Sequence, residues 1–296
     1  MGYLALVLTS ILWGLAPLAT KIALWEMPPF TLSWLRFAFA LVIIIPIFFF
    51  RKGKLPKRQD FLKIFLITSL AGFNVAFFVW GIQFTTTITS QLIYTSVPIL
   101  TALGGFIFLK EKISPLQILG IIIAFLGVIF IIFLPLIEKG SGWEMGSFSG
   151  NLFIALAAFA FAGYTLGSRQ LSSRLNPLTI TTVSIFVSLL VFTFISPIEL
   201  LRNSQPIVDV TPKSFFAVFY LGLGATVVTF FLYQWIIKAT NAFVASLNLY
   251  LQPLVTGIAG VLILKEKITF IFLLGAVLIV LGVFLATSLN SLLSKR

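Results

Sequence analysis

The sequence predicts an all-α integral membrane protein whose ten transmembrane helices form two inverted five-helix repeats around a central cavity. Residues of the AVILMFWYC set fill 59% of the 296 positions and charged residues fill 9%, whereas about a quarter of the residues in a soluble domain are charged. Apolar runs of about 20 residues, long enough to cross a hydrocarbon core, occur ten times. One long stretch of the chain also occurs twice. The first two observations predict membrane insertion, and the third predicts duplication.

The ten apolar runs are expected to be helices, because an uninterrupted apolar run lacks the alternation of a membrane barrel and must satisfy its backbone hydrogen bonds internally. The first run starts at Tyr3 without a basic region before it, so no cleavable signal peptide is expected. Short connections that hold a breaker or a charge make consecutive helices antiparallel. The runs lie at about 3–25, 30–50, 61–82, 88–109, 115–134, 149–171, 177–198, 214–237, 243–264 and 270–290.

The repeated stretch defines the two halves of the chain. Pro98 followed by Leu109-Lys110-Glu111-Lys112 returns 155 residues later as Pro253 followed by Leu264-Lys265-Glu266-Lys267. In the first and sixth runs an offset of 148 gives the better alignment and pairs Trp13 with Phe161. The predicted division is therefore 1–137 for the first repeat and 138–296 for the second. Repeats of this size in an apolar chain are typical of transporters built from two related halves.

Lysine and arginine residues predict the orientation of the chain in the membrane. With a cytoplasmic N-terminus, 13 of these residues fall on the inside and six on the outside. Both termini are therefore expected to be cytoplasmic, in the cytoplasmic (inner) membrane. Since each half holds five helices, an odd number, the second half must enter the membrane inverted.

Composition also excludes several classes of function. The chain has no cysteine and no histidine, so disulfides, thiolate nucleophiles and the usual zinc ligands are absent, and neither a metal nor a cofactor is expected. The net charge is +12, and the lysines and arginines behind it lie between the apolar runs and at their ends. This distribution indicates that they orient the chain in the membrane rather than bind nucleic acid. Intramembrane metalloproteases need histidines, and intramembrane aspartyl proteases need two buried aspartates. The chain has no histidine, and no predicted span contains an aspartate. The chain is therefore not expected to be an enzyme.

Several positions resemble the ten-helix EamA-type members of the drug/metabolite transporter superfamily. They are Trp13-Gly14 with Lys21, Leu35-Arg36-Phe37, and the Lys-Glu-Lys ends of the fourth and ninth runs. The resemblance covers 3–290 and implies transport of small metabolites, often amino acids and related compounds, and in several members export. The second half departs from the first, because Ser184 stands where Arg36 would repeat. The two halves therefore need not act symmetrically.

Three prolines are predicted to kink helices. Pro98 and Pro253 fall near the middle of their runs, which is near the bilayer midplane, and Pro17 interrupts the first run. Proline lacks an N–H and leaves the carbonyl four residues earlier without its usual donor. Either a ligand or water-lined cavity supplies a partner, or a neighbouring hydroxyl does so in an ordinary kink.

Polar and aromatic positions beside these prolines are candidates for a binding site. Amides and tyrosines at membrane depth are unfavourable unless they pair or face water, so they should point inward. An aromatic cavity with few amides suits a compact, partly apolar metabolite. Any one amide can instead bond a neighbouring helix, and with 33 Phe most rings serve packing or face lipid. The predicted substrate-binding residues are Trp13, Asn74, Phe78, Gln91, Tyr94, Tyr164, Tyr233, Asn248 and Gln252.

Four charged residues are predicted to act in gating or as fixed charges. Lys21 and Arg36 could each hold a carboxylate, and for Arg36 a structural or gating role is favoured over direct binding. Glu111 and Glu266 lie on opposite membrane sides, where each either anchors a helix end or helps to close the cavity on its own side. No Asp or Glu is expected well inside a span, which favours zwitterionic, neutral or anionic solutes over cations.

These observations predict a secondary transporter that works by alternating access. Its expected partners are a small-molecule substrate and the lipid bilayer, without nucleic acid, in a monomer or weak homodimer. Gly120, Gly127, Gly275 and Gly282 are interpreted as packing positions. An intramembrane enzyme with a Ser or Tyr nucleophile and a channel remain the alternatives.

Overall fold

A computed structural model describes residues 2–53, 55–56, 58–110, 114–137, 146–202 and 210–293. In these ranges the chain is helical and contains no strand. The α-helices are α1 (Gly2–Leu24), α2 (Pro29–Phe50), α3 (Phe61–Gly81), α4 (Thr87–Tyr94), α5 (Val97–Leu109), α6 (Pro115–Ile137), α7 (Phe148–Leu171), α8 (Pro177–Arg202), α9 (Pro212–Gly222), α10 (Thr229–Ala239), α11 (Ala242–Ser246), α12 (Gln252–Ala259) and α13 (Phe270–Leu293).

Nine helical stretches of the described chain are long and apolar enough to cross a membrane. They coincide with the first nine predicted runs and differ from them by a few residues at the ends. The tenth run falls within α13, where the apolar stretch Phe272–Gly282 is shorter. The prediction of an all-α, multi-pass membrane protein is confirmed. The nine stretches are Leu4–Leu24, Pro29–Phe50, Arg58–Phe84, Thr87–Phe108, Pro115–Leu136, Phe148–Leu171, Pro177–Leu201, Pro212–Ala239 and Ala242–Leu264.

The helices that hold Pro98 and Pro253 are interrupted near their middle. α4 ends at Tyr94 and α5 begins at Val97, so that Pro98 is the second residue of the new helix. Pro253 is likewise the second residue of α12 and follows a 3-10 turn. Proline is tolerated in the first turn of a helix, because the N–H that it lacks would have no acceptor within the helix there. The sequence predicts kinks here, and the structure has breaks between separate helices.

A π-helix, Leu223–Val228, joins α9 to α10. Its wider turn leaves the carbonyl of Ala225 available, and the indole Nε1 of Trp13 donates to this oxygen at 3.0 Å. Thr226 Oγ1 donates to the carbonyl of Leu221, five residues earlier, at 2.7 Å. The sequence analysis treats this run as a regular helix. Single π-turns inside helices are frequent at functional sites, and this one lies beside the cavity described below.

Glycines bring α6 and α13 into backbone contact. A Cβ built on Gly282 would lie 2.2 Å from the amide nitrogen of Ala124 and 2.6 Å from the carbonyl oxygen of Gly120. Gly127 faces the backbone of Gly275 and Ile279 in the same way. Side chains are therefore excluded along this contact, in agreement with the packing role predicted for these glycines.

Gly282→Ala should destabilise the protein, because the added Cβ meets backbone atoms that cannot rotate away. Overpacking typically lowers stability by about 1–3 kcal/mol, and an obstacle made of backbone favours the upper end. Thermal unfolding of the detergent-solubilised protein, followed by size-exclusion chromatography, measures the loss. Gly257→Ala is the matched control, since nothing lies within 4 Å of the added Cβ. Equal unfolding temperatures for the two variants would contradict the contact.

Candidate functional site

A cavity of about 60 Å³ lies where α1, α2, α3 and α7 meet the interrupted helices. Its walls are mostly apolar, and side chains from both halves of the chain form them. Four amide or guanidinium side chains are the exceptions. The lining residues are Trp13, Ala16, Pro17, Arg36, Asn74, Val75, Phe78, Gln91, Tyr94, Phe161, Phe230, Leu249 and Gln252.

Arg36 supplies a positive charge at this cavity. Its side chain is only 6% exposed. Nε donates to Thr226 Oγ1 at 2.6 Å and Nη2 donates to the carbonyl of Ala225 at 3.0 Å, so the π-helix holds the guanidinium in place. Nη1 has no hydrogen-bond partner among the described residues, and none of their carboxylates lies within 4 Å of the group. A buried cation without a counter-ion favours an anionic group nearby.

Aromatic rings form one wall of the cavity around Trp13. The indole packs edge-on against Phe161 at 5.4 Å and against Phe230 at 6.1 Å between ring centroids. Its Nε1 bond to the carbonyl of Ala225 fixes the rotation of the ring. Trp13 and Arg36 therefore share one acceptor on the π-helix. A change in that turn would move both side chains together.

The amides of the lining come from α3, α4 and α12. Asn74 Nδ2 donates to the hydroxyl of Tyr94 and, at 2.8 Å, to the carbonyl of Ala157, so this amide is held by the protein. Gln91 Oε1 and Gln252 Nε2 are buried and have no hydrogen-bond partner in the part of the chain that the structure describes. An unsatisfied buried polar atom is unfavourable by about 1–3 kcal/mol. These two glutamines therefore offer one acceptor and one donor that a solute or water can use.

Three predicted binding residues lie behind the cavity wall. The Tyr164 hydroxyl is bonded to Ser184 and Gln234, and the Tyr233 hydroxyl to Thr165. Both tyrosines support the rings of Phe161 and Phe230 from the protein interior. Asn248 is buried and its neighbour Leu249 takes the lining position, although both polar atoms of the Asn248 amide lack partners. Of the predicted prolines, Pro17 lines the cavity, whereas Pro98 and Pro253 do not.

Five of the lining residues are not among those predicted from the sequence, namely Ala16, Val75, Phe161, Phe230 and Leu249. Three of them are repeat partners of lining positions in the first half, and the offsets noted above connect each pair. Trp13 pairs with Phe161 at 148, and Val75 with Phe230 and Tyr94 with Leu249 at 155. Extending the predicted binding residues Trp13 and Tyr94 by these offsets would have found Phe161 and Leu249. Phe230 would have been missed, because its partner Val75 was not a candidate. Val75 and Ala16 carry no signal of their own, since they are ordinary apolar residues.

A charge cluster around Glu266 lies at the end of α1, away from the cavity lining. Its carboxylate accepts the backbone N–H groups of Thr87 at 2.7 Å and Ile88 at 3.1 Å, at the start of α4. Lys21 Nζ lies 3.9 Å from the same carboxylate. One side chain thus joins three separate segments. Glu111, the predicted counterpart of Glu266, lies outside the described residues.

Two other carboxylates cap helices in the same manner. Glu199 accepts the N–H groups of Phe30 and Thr31 in the first turn of α2. Glu26 accepts the N–H of Thr211, at the start of α9, at 2.8 Å. Hydrogen bonds from Thr211 hold the pKa of Glu26 below its ordinary value. With Glu266, three carboxylates stabilise free N–H groups at the N-termini of distant helices. In the predicted topology all three lie on the outer side.

Comparison with known proteins gives a family match over almost the whole chain. The model of the EamA-like transporter family matches residues 1–133 and 148–288. A solved crystal structure superposes with a TM-score of 0.72 at 19% identity and covers 99% of this chain and 98% of its own, which shows a shared fold. The described part of the chain contains no group of three or more His, Cys, Asp or Glu residues able to hold a metal ion.

Curated relatives match over similar lengths. The uncharacterized transporter YoaV of Bacillus subtilis is 26% identical over 291 residues, which is 96% of each chain. The uncharacterized transporter YyaM of the same organism is 30% identical and covers 88% of this chain and 84% of its own. A probable amino-acid metabolite efflux pump of Salmonella typhimurium is 27% identical and covers 96% of this chain and 93% of its own. These names describe transporters rather than enzymes.

Proposed function

Because this chain belongs to the EamA-like transporter family, as its sequence resemblance predicts, we propose that it exports a small metabolite by alternating access. The solute is an amino acid or a related compact, partly apolar compound. The observation that carries this proposal is the buried Arg36 guanidinium at the cavity, with no carboxylate beside it in the described chain. A carboxylate on the solute would supply the missing counter-ion.

The rest of the cavity supports the same class of solute. Aromatic rings on one wall suit an apolar side chain, and the unpartnered amide atoms of Gln91 and Gln252 suit an ammonium or hydroxyl group. The name of the Salmonella relative, a probable amino-acid metabolite efflux pump, agrees with export of such a compound. None of the described acidic residues lines the cavity, which disfavours a cationic substrate.

The proposed architecture is ten helices in two inverted repeats, with both termini in the cytoplasm. Repeat-related residues on the cavity wall support it. So do Lys110, which follows α5, and Lys265, which follows the helical segment Gly260–Leu264, because both have the same left-handed conformation with φ of 56° and 58°. Orientation can be measured directly because the chain has no cysteine. A cysteine at Ser173 should react with an impermeant maleimide only after the membrane is opened, and labelling of intact cells would reverse the orientation.

The proposed assembly is a monomer or a weak homodimer. The cavity lies between the two repeats of a single chain, since residues of both repeats line it, and this arrangement supports a site that does not require a second copy. Light scattering of the protein in detergent over a range of concentrations measures its mass. A stable higher oligomer at low protein concentration would contradict this proposal.

Transport into proteoliposomes tests the function itself. Vesicles with and without the protein are loaded with a mixed metabolite pool, and mass spectrometry follows each solute on both sides. We expect saturable movement of carboxylate-bearing solutes that compete with one another. Flux that rises linearly with concentration would indicate a channel, and no protein-dependent movement of any solute would contradict the proposal.

Gln252→Ala should raise the half-saturation concentration by about 2- to 12-fold, the equivalent of one hydrogen bond of about 0.5–1.5 kcal/mol. Its Nε2 has no hydrogen-bond partner among the described residues, so the change should leave folding nearly intact. Gln83→Ala changes an exposed glutamine outside the cavity lining. It is the control for the half-saturation concentration and for the expression level. Asn248→Ala, one layer behind the wall, should give a smaller effect. Loss of expression that parallels the loss of affinity would make Gln252 structural.

A further inference from the structure

A second cavity, of about 670 Å³, lies between α2, α8 and the α9–α10 segment. It is about eleven times the volume of the central cavity and has a separate lining, so it is not part of the solute site. We call it the lateral groove. Its lining residues are Ile44, Ile47, Arg51, Asn176, Pro177, Leu178, Val227, Val228, Phe231, Leu232 and Trp235.

The lateral groove runs from a membrane surface into the hydrocarbon layer. Arg51 follows the last residue of α2, and Asn176 precedes the first residue of α8, so both mark the surface. Val227 lies eight residues before Trp235 along the helix, which corresponds to about 12 Å at ~1.5 Å per residue. The groove is therefore about as deep as the upper half of an acyl chain, in the leaflet that the proposed orientation makes cytoplasmic.

The lining changes from polar to apolar along this depth. Arg51 and Asn176 are the charged and amide side chains of the described lining, and both stand at the mouth. Trp235 adds one indole N–H to walls that are otherwise apolar. Arg51 is exposed and pairs with none of the described carboxylates, since Asp60 at this membrane surface is bound to Arg174 at 3.1 Å. A positive mouth above apolar walls is complementary to an amphiphile with an anionic head.

We propose that the lateral groove binds one anionic phospholipid of this leaflet. Its phosphate contacts Arg51, and one acyl chain packs between Ile47, Phe231 and their neighbours. A mostly apolar space of this size facing the hydrocarbon layer favours a lipid chain over water, because below the mouth the described lining offers water only the indole N–H of Trp235 among its side chains. The proposal uses no property of the solute site, so it does not depend on the proposed transport activity.

The π-helix separates the bound lipid from the central cavity. Val227 and Val228 face the lateral groove, whereas the carbonyl of Ala225 and the hydroxyl of Thr226 hold Arg36 on the other side. A lipid chain in the groove would support the outer face of this irregular turn. The occupant should therefore raise the thermal stability of the protein as well as remain bound to it.

Native mass spectrometry of the purified protein tests the site. The protein is mixed with phosphatidylglycerol or phosphatidylcholine of equal chain length, and retained lipid is counted. We expect one phosphatidylglycerol bound preferentially, a rise in unfolding temperature with that lipid, and about five-fold weaker retention in Arg51→Gln, the change expected for one phosphate contact near the surface. Lys52→Gln removes the same charge from a residue outside the lining and should retain the lipid.

Val228→Phe tests the depth of the site. The larger ring should occupy the apolar part of the groove and reduce retention of phosphatidylglycerol while Arg51 is intact. Arg51→Gln changes an exposed side chain, so its result stands even if Val228→Phe does not fold. Equal retention of the two lipids, equal effects of Arg51→Gln and Lys52→Gln, or undiminished retention in a folded Val228→Phe would each overturn the proposal.

Discussion

Arg36→Gln should reduce transport of a carboxylate-bearing solute by about 10- to 100-fold at low concentration. Hydrogen bonds to a charged group contribute about 1.5–3 kcal/mol, and each 1.4 kcal/mol corresponds to a factor of ten. Glutamine keeps a donor but has neither the charge nor the fork of the guanidinium. Arg36→Lys should be intermediate, since it retains the charge alone. Solute uptake into proteoliposomes at several concentrations measures the change.

A more specific measurement compares the uptake of a carboxylate-bearing solute with the uptake of its amide. The unmodified protein should prefer the acid, and Arg36→Gln should lose that preference. Thr226→Val is the structural control, because it removes the Nε acceptor of Arg36 and leaves the guanidinium charge in place. If Arg36→Gln lowers uptake of the acid and of the amide equally, Arg36 acts only by holding α2 against the π-helix, and the solute need not carry a carboxylate.

Glu266→Gln should shift the protein towards the state that is open on the outer side. The glutamine loses the charge attraction to Lys21 and weakens the caps on Thr87 and Ile88. Charged capping and helix-end interactions contribute about 0.5–2 kcal/mol, so the open population should rise about 2- to 30-fold. A cysteine at Ala16, a cavity residue, should then react faster with an impermeant reagent added outside.

Glu111→Gln is the matching change on the other membrane side. If each glutamate closes the cavity on its own side, Glu111→Gln should slow labelling of the Ala16 cysteine from outside. Labelling that shifts in the same direction for both variants would contradict the gating role. Glu26→Gln removes a cap of the same kind at Thr211, away from α4, and should leave labelling unchanged.

Hydropathy and the repeat predicted the helical stretches and much of the candidate site. Run length depends only on local composition, so the first nine stretches agree with the structure to within a few residues. Asn74, Gln91 and Gln252 lie at the cavity because polar side chains at membrane depth must face inward. Inward orientation alone does not distinguish residues that line the cavity from residues that pack behind the lining. Tyr164 and Tyr233 therefore satisfy the same rule while lying behind Phe161 and Phe230.

Two features depend on contacts between distant segments, and no local pattern predicts them. The π-turn at 223–228 is stabilised by donors from α1 and α2, namely Trp13 and Arg36. The position of Arg36 in the cavity follows from that turn, which explains why the sequence favoured a gating or structural role for it. The caps made by Glu26 and Glu199 likewise join residues more than 160 positions apart.

The central cavity of about 60 Å³ has room for about four water molecules. Pockets that enclose a drug-sized ligand usually have volumes of about 300–1,000 Å³, so the helices around Trp13 and Arg36 must move apart before a metabolite can enter. The binding free energy of a solute is then the favourable free energy of its contacts reduced by the free energy needed to widen the cavity. A weak apparent affinity would be compatible with strong contacts, and a solute too small to hold the walls apart would be a poor substrate even with the correct charge.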